Sequence, residues 1–337
     1  MKASGRGSDR MPTYRLRYRV ESTLQHDSDI HLTVANHKTV FMFSSKPAID
    51  NTVLACVEVE APNAQQAETR ASEDLLPQTL DALSFATGTP LILQACELIL
   101  KHEIGAVERR ALYVNVSSTS DPVKPSPVEL EEAQHILDSG AGPDLALCWH
   151  RYAAHRGYVF DRFLFQWLAL EGIAGTIQVP VNCPKCGEAR THSGTDKQKA
   201  YALFSASNPE VTRKAFNDDI WGKARNAVFH GRAYPQPNFL GHLRTLSKKI
   251  RNACTVSFQD QYGLAKRPRE FRDARTWLHY FFLEWETTDP SAAYVNDFPE
   301  AAVSHLGGRH THGEVGSIDS NLKGLKILDI NKDYKGW

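Results

Sequence analysis

The sequence predicts an α+β N-terminal domain followed by an all-α helical bundle, and two patterns support this prediction. Residues 14–20 alternate apolar side chains with arginines, which is the period of a half-buried strand. Beyond a proline-rich segment, apolar residues recur every three or four positions, as they do in packed helices. A chain of 337 residues is long for one compact domain and fits about two.

The first part of the chain predicts strands around one helix. Residues 1–12 are polar and are predicted to form a flexible tail, and we assign residues 13–120 to the α+β domain. Pro77 is expected to kink or divide the helix, and residues 87–90 (TGTP) are expected to end it. The predicted strands are 14–20, 30–35, 39–43, 53–59, 91–100 and 111–116, and the predicted helix is 64–86.

Residues 121–127 carry three prolines and form the predicted linker, after which residues 128–261 read as the helical domain. Its predicted helices are 128–137, 145–173 with a break near Gly157, 220–229 capped by Asp218 or Asp219, and 239–258. In the long helix, Phe160, Leu164 and Leu168 form one row, and Phe163, Trp167 and Leu170 form a second row beside it. On the last helix, Leu243, Leu246, Ile250 and Ala253 form the expected core face. Residues 262–337 are predicted to be a C-terminal extension, partly strand or loop, with a strand at 276–286.

The composition excludes several classes of protein but does not indicate a reaction. Lys+Arg and Asp+Glu both number 39, so any nucleic-acid-binding surface must be local. No apolar run approaches the roughly 18 to 20 residues of a membrane helix, and the N-terminus has no apolar segment of the signal-peptide kind. Six cysteines without an export signal argue against a disulfide framework. We therefore predict a cytoplasmic protein that does not bind membranes.

The most specific motif is RNAVFHGR, residues 225–232. On an ideal helix Asn226 and His230 share a face that Arg225 borders, and Gly231 fits the left-handed residue that ends a helix. Arginine binds phosphate through paired donors, and histidine transfers protons near neutral pH. Metal-free cleavage of RNA needs a cation, a base and an acid, so two copies related by a two-fold axis would supply the second histidine. The same residues also fit a solvated arginine and a histidine that merely caps a helix.

Residues 128–261 resemble the HEPN superfamily and, within it, the ApeA-like HEPN proteins. RNAVFHG is similar to the family's R-x4-6-H motif with a polar residue after the arginine, and FLFQWLALEGIAG is similar to its long bundle helix ending in an aliphatic-Glu pair, here Leu170-Glu171. The resemblance implies a HEPN-like helical bundle whose motifs meet at a homodimer interface. It also implies that Arg225 binds phosphate, that Asn226 positions the RNA or His230, and that His230 is catalytic. Glu171 is the candidate that orients Arg225, and its alternative is a glutamate that is solvated or bonded to N–H groups.

Two further features bear on RNA binding. Arg244, Lys248 and Arg251 form a basic stripe on the last helix that could follow an RNA backbone, although a solvated helix face explains it equally well. Trp221 could stack on a base or pack in the core.

Cys183-Pro-Lys-Cys186 has the spacing of a zinc knuckle within an insert, residues 180–197, that is expected to be irregular. Structural zinc usually has four ligands, so two more are needed, and His192, Cys148 and Cys254 are the candidates. A structural zinc would pin the insert, and a plain turn is the alternative.

These observations favour a metal-independent endoribonuclease that needs no catalytic cofactor and leaves a 2′,3′-cyclic phosphate. The resemblance places such enzymes in phage defence or toxin–antitoxin systems, which suggests an antitoxin or regulatory partner. One hypothesis is that the N-terminal domain restrains the nuclease. The alternatives are a non-catalytic HEPN dimer that binds RNA, a nucleotide or a partner protein, and a structural adaptor.

Overall fold

The computed structural model describes residues 11–43, 53–101, 107–115, 123–142, 144–155, 159–182, 186–230, 237–269, 271–272, 280–286 and 326–331. The chain forms two compact units. The sheet unit comprises the described residues within 1–80, 91–127 and 274–337, and the helical unit those within 81–90 and 128–273. The division between the units falls between residues 127 and 128, and the described residues after 273 belong to the sheet unit.

The sheet unit is built on an eight-stranded antiparallel sheet of order β10-β9-β6-β5-β1-β4-β3-β2. Each predicted strand is present, with ends that differ by a few residues. The strands are β1 (Thr13–Glu21), β2 (Ile30–Val34), β3 (His37–Phe43), β4 (Val53–Glu60), β5 (Ile92–Lys101), β6 (Val107–Asn115), β9 (Tyr280–Glu286) and β10 (Lys326–Asn331).

The prediction of a half-buried strand is wrong for the second half of β1. Arg17 and Arg19 are 7% and 3% exposed, whereas Arg15 is exposed and pairs with Glu58 at 2.6 Å. The strand lies between β4 and β5 in the middle of the sheet, and its second half is buried on both faces. Alternation of residue type therefore identified the strand but not its exposure.

The first helical segment consists of α1 (Ala64–Arg70), a π-helical turn (Ala71–Leu75) and α2 (Leu76–Thr87). The widened turn directly precedes Pro77, which has no backbone N–H and whose ring crowds the preceding turn of an α-helix. The predicted division is thus a change of helix type. Gly88, with φ of +66°, follows the last turn as expected.

The predicted linker is anchored to the sheet unit through Val123. Its N–H donates to the carbonyl of Thr23 at 2.8 Å, and its carbonyl accepts from the N–H of Gln25 at 2.9 Å. Residues 121 and 122 lie outside the described ranges.

The helical unit contains α3 (Pro127–Asp138), α4 (Leu145–His155), α5 (Val159–Ala174), α6 (Lys197–Ser207), α7 (Arg213–Ala215), α8 (Asn226–Phe229) and α9 (Pro237–Gln261). The long predicted helix is divided into α4 and α5, and Gly157 between them lies outside the described residues. The second apolar row of α5 and the predicted core face of α9 are buried. The first row, Phe160, Leu164 and Leu168, is half-buried.

The helical unit is not all-α, because residues predicted to be irregular form a β-hairpin. β7 (Thr176–Asn182) pairs antiparallel with β8 (Ala189–Thr195). Pro180 interrupts the β-branched residues of β7, which disguises the strand in the sequence.

The core of the helical unit also holds ionisable groups. His150 contacts the rings of Phe85, Phe258 and Phe271, and burial there lowers its pKa from 6.5 to about 3. Next to it in the sequence, Arg151 forms a buried ion pair with Asp81 at 2.5 Å. Burial raises the pKa of Asp81 to about 6 although Arg151 acts to lower it.

No helix within the described ranges combines the length and the apolar character that a membrane span requires.

Candidate functional site

The motif lies on one continuous helical stretch that begins earlier than predicted. Thr212 caps it, since its hydroxyl accepts from the N–H of Ala215 at 3.2 Å. Asp218 and Asp219 do not cap the helix but lie inside a π-helical segment, Phe216–Arg225, where Asp219 pairs with Lys223 at 2.6 Å. The wider turns of this segment break the α-helical period, which concealed the true start of the helix.

The π-helical segment changes the geometry expected of the motif. Arg225 is its last residue, and α8 begins with Asn226, so the ideal-helix angles apply only from Asn226 onwards. The N–H of His230 donates to the carbonyl of Asn226 at 3.1 Å, which completes one α-helical turn. Asn226 and His230 therefore share a helix face as predicted.

Arg225 is held by residues from two helices. Its Nη2 donates to Oε1 of Glu171 on α5 at 3.2 Å, and its Nη1 donates to Oδ1 of Asn226 at 3.1 Å. Oε1 of Glu171 also accepts from the indole Nε1 of Trp167 at 2.8 Å. The side chains of Arg225 and Glu171 are 21% and 14% exposed, so the pair is largely shielded yet open to solvent. The predicted contact by which Glu171 orients Arg225 is present.

Aromatic rings enclose the Arg225 guanidinium. Its Cζ lies 4.4 Å from the ring centroid of Phe229 and 5.5 Å from that of Trp221. Trp221 is half-buried, packs edge-on against Trp167 at 5.4 Å and also contacts Phe216, which are contacts of the core-packing kind. Rings at these distances attract a cation and limit the orientations of the guanidinium.

His230 ends the helix and is exposed. Within the part of the chain that the structure describes, its side chain forms no hydrogen bond or ring contact. Gly231, the expected left-handed residue, lies outside the described residues. The structure thus brings Arg225, Asn226 and Glu171 together and places His230 one turn beyond Asn226.

The predicted basic stripe on α9 does not form one exposed surface. Arg244 and Lys248 are exposed. Arg251 is half-buried, with its Cζ 5.5 Å from the ring centroid of Phe271. A segment that follows α9 in the sequence therefore covers Arg251, which the sequence of α9 alone could not indicate.

The structure describes only some of the residues in the predicted zinc site. Cys183 and the His192 side chain lie outside what the structure describes, and Cys186 is exposed beside Gly187, whose φ is +71°. Across the described ranges, no group of three or more His, Cys, Asp or Glu side chains is arranged to hold a metal.

Cys254 and Cys148, the two other cysteines considered as zinc ligands, make contacts of their own in the helical unit. Cys254 is fully buried, and its Sγ donates to the carbonyl of Gln166 at 3.8 Å. Cys148 accepts from Arg151 at 3.8 Å, and burial raises its pKa to about 11. Both cysteines are free thiols, with Cys254 in the helical core and Cys148 half-buried.

One residue near the site is not marked out by any motif or period in the sequence around it. Lys197, the first residue of α6, places its Nζ 5.2 Å from the ring centroid of Trp221. Only the packing of α6 near the π-helical segment brings it there.

Comparison of the chain with protein-family models, with curated proteins and with solved structures found no match. Membership of the HEPN superfamily therefore remains a prediction from the motif.

Proposed function

We propose that the helical unit is a HEPN-like, metal-independent endoribonuclease. The observation that carries this proposal is the fixed yet solvent-accessible guanidinium of Arg225, held by Glu171 and Asn226 beside a helix that ends in the exposed His230. A positioned cation next to an exposed proton-transfer group is what phosphodiester cleavage without a metal requires.

Arg225 binds the scissile phosphate. Two of its N–H donors are committed to Glu171 and Asn226, and arginine carries further donors in the same plane. Its Nε is buried without a hydrogen-bond partner among the described residues. The remaining N–H groups of Nη1 and Nη2 are therefore the donors left for a phosphate oxygen. Glu171 acts on the reaction through Arg225 as a positioning residue.

His230 takes the proton from the ribose 2′-OH, and the 2′-oxygen then forms a bond to phosphorus while the bond from phosphorus to the 5′-oxygen breaks. The products are a 2′,3′-cyclic phosphate and a 5′-hydroxyl, and the leaving oxygen needs a proton from an acid. Each chain has one motif histidine, so a second copy supplies the acid in a homodimer. Leu164 and Leu168 of α5 are half-buried, and their apolar side chains are suited to that contact.

The proposal includes a cytoplasmic setting in defence or growth control, in which the sheet unit receives an antitoxin or regulatory partner. A zinc held by Cys183 and Cys186 would stabilise the hairpin and take no part in cleavage.

The test is cleavage of a labelled mixed RNA pool by the purified full chain in EDTA. We expect the wild type to cut and leave cyclic-phosphate ends, His230→Ala and Arg225→Ala to be inactive, and His242→Ala to cut normally. His242 is the matched control because it is an exposed histidine on α9. Mixing wild-type chains with an excess of His230→Ala chains should lower the activity per wild-type chain, because a mixed dimer holds only one of the two histidines; an unchanged activity would contradict the shared site.

The second candidate is an RNA-binding dimer that does not cut. It is favoured by the Arg225–Glu171 pair, which already balances the arginine's charge in the free protein. A folded dimer that binds the RNA pool and leaves it intact in every variant would establish this alternative.

A further inference from the structure

We propose that Lys197 is a second RNA-binding residue of this site, which contacts a backbone phosphate next to the one held by Arg225. This inference rests on the proposed function only in that the helical unit binds RNA. It extends the RNA path from the motif helix to the first turn of α6.

A shared aromatic ring places the two cations near each other. The Lys197 Nζ lies 5.2 Å from the ring centroid of Trp221, and the Arg225 Cζ lies 5.5 Å from the same centroid. Trp221 is itself fixed by its contacts with Trp167 and Phe216. Both cations therefore lie beside the same packed ring before RNA arrives.

The position of Lys197 is unfavourable for a cation in the free protein. It is the first residue of an eleven-residue helix, where the helix dipole favours anions. The neighbouring carboxylate of Asp196 caps the helix by accepting from the N–H groups of Gln198 and Lys199 at 3.1 and 3.0 Å. Lys197 forms no ion pair with any residue that the structure describes.

The cations near this site differ in their ion pairing, and the Asp196 carboxylate next to Lys197 accepts from backbone N–H groups. Glu171 balances Arg225, and Asp219 balances Lys223, but no carboxylate pairs with Lys197 within the described ranges. A cation–π contact is worth about 0.5–1 kcal/mol at an exposed site and does not neutralise charge. A strand with successive phosphates supplies one anion for each cation and so relieves the repulsion between them.

The two cations are expected to have different roles. Arg225 stands beside Asn226, which lies one turn before His230, so Arg225 holds the phosphate that reacts. Lys197 lies beyond Trp221 and contacts a phosphate that does not react, and such contacts carry no sequence information. Its loss should therefore raise KM and leave kcat nearly unchanged.

The test measures binding of a fluorescent single-stranded RNA oligonucleotide of mixed sequence at several salt concentrations. The full chain carries His230→Ala so that the RNA stays intact. Each phosphate contact on a single strand contributes about 0.7 to the slope of log affinity against log salt. We expect Lys197→Ala to lower the slope by about that amount and Lys197→Arg to preserve it. Lys199→Ala, which removes an exposed lysine of the same helix, should leave it unchanged.

An unchanged slope and Kd in Lys197→Ala, with normal thermal melting of each variant, would overturn the inference even if the wild type cuts RNA. A lowered slope in a protein that never cuts RNA would keep the inference and reject the nuclease. A chain that binds no RNA would reject both.

Discussion

Glu171→Ala is the substitution whose effect on stability follows most directly from the contacts. Oε1 of Glu171 accepts from Trp167 at 2.8 Å and from Arg225 at 3.2 Å. Trp167 is fully buried, so its indole N–H would lose the acceptor that the protein provides.

The magnitude follows from that burial. A buried donor without a partner costs about 1–3 kcal/mol, and the lost charged hydrogen bond adds a further contribution that the 21% exposure of Arg225 reduces. We therefore expect Glu171→Ala to lower the free energy of unfolding by about 2–4 kcal/mol. Glu171→Gln keeps an oxygen that can accept from Trp167, so its cost should be about 1 kcal/mol.

Urea denaturation followed by tryptophan fluorescence gives both values, with Glu210→Ala as control. Glu210 pairs with Lys249 at the shorter distance of 2.5 Å, but its side chain is 60% exposed. Exposed pairs contribute little, so no loss should be measurable. Equal losses in Glu171→Ala and Glu171→Gln would refute the reasoning about the indole acceptor. A loss in Glu210→Ala as large as that in Glu171→Ala would refute the reasoning from burial.

Two further predictions concern the buried ionisable groups. Between pH 6.5 and about 3 the unfolded chain binds a proton at His150 that the folded chain excludes, so stability should fall as the pH falls. Relative to His150→Phe, the wild type should lose about 1.4 kcal/mol per pH unit in urea titrations, and a constant difference would contradict the burial argument. His150→Phe is the reference because it retains Asp81. The raised pKa of Asp81 makes stability rise as the pH falls, and this effect cancels in the difference between the two proteins. Arg151→Met leaves the buried Asp81 without its partner and should cost about 3–5 kcal/mol, whereas adding Asp81→Leu should recover most of that loss. Equal stability of the single and double variants in urea would count against the buried pair.

The sequence predicted those elements whose signal is local. Alternation identified β1, and the helical period identified the buried rows of α5 and α9, because each pattern reflects one covered face. The exposure of Arg17 and Arg19 could not be predicted, since it depends on strands that pair from distant parts of the chain. The hairpin was missed because Pro180 is unusual within a strand.

The candidate site also combines residues that the sequence predicts with one that it does not predict. The motif residues Arg225, Asn226 and His230 are adjacent in sequence, and the contact with Glu171 was expected from the resemblance. Lys197 was not found, because its distance from Trp221 arises only when α6 packs beside the motif helix.

The π-helical segment Phe216–Arg225 makes the direction of the motif side chains depend on the exact length of the chain. Its buried residues Phe216, Ile220 and Ala224 fix the segment in the core, and Arg225 is its last residue. Deleting one residue in between would favour ordinary α-helix and rotate one end against the other by about 100°. Such a variant could keep its packed interior or the direction of Arg225, but not both. Substitutions should therefore be tolerated here far better than insertions or deletions.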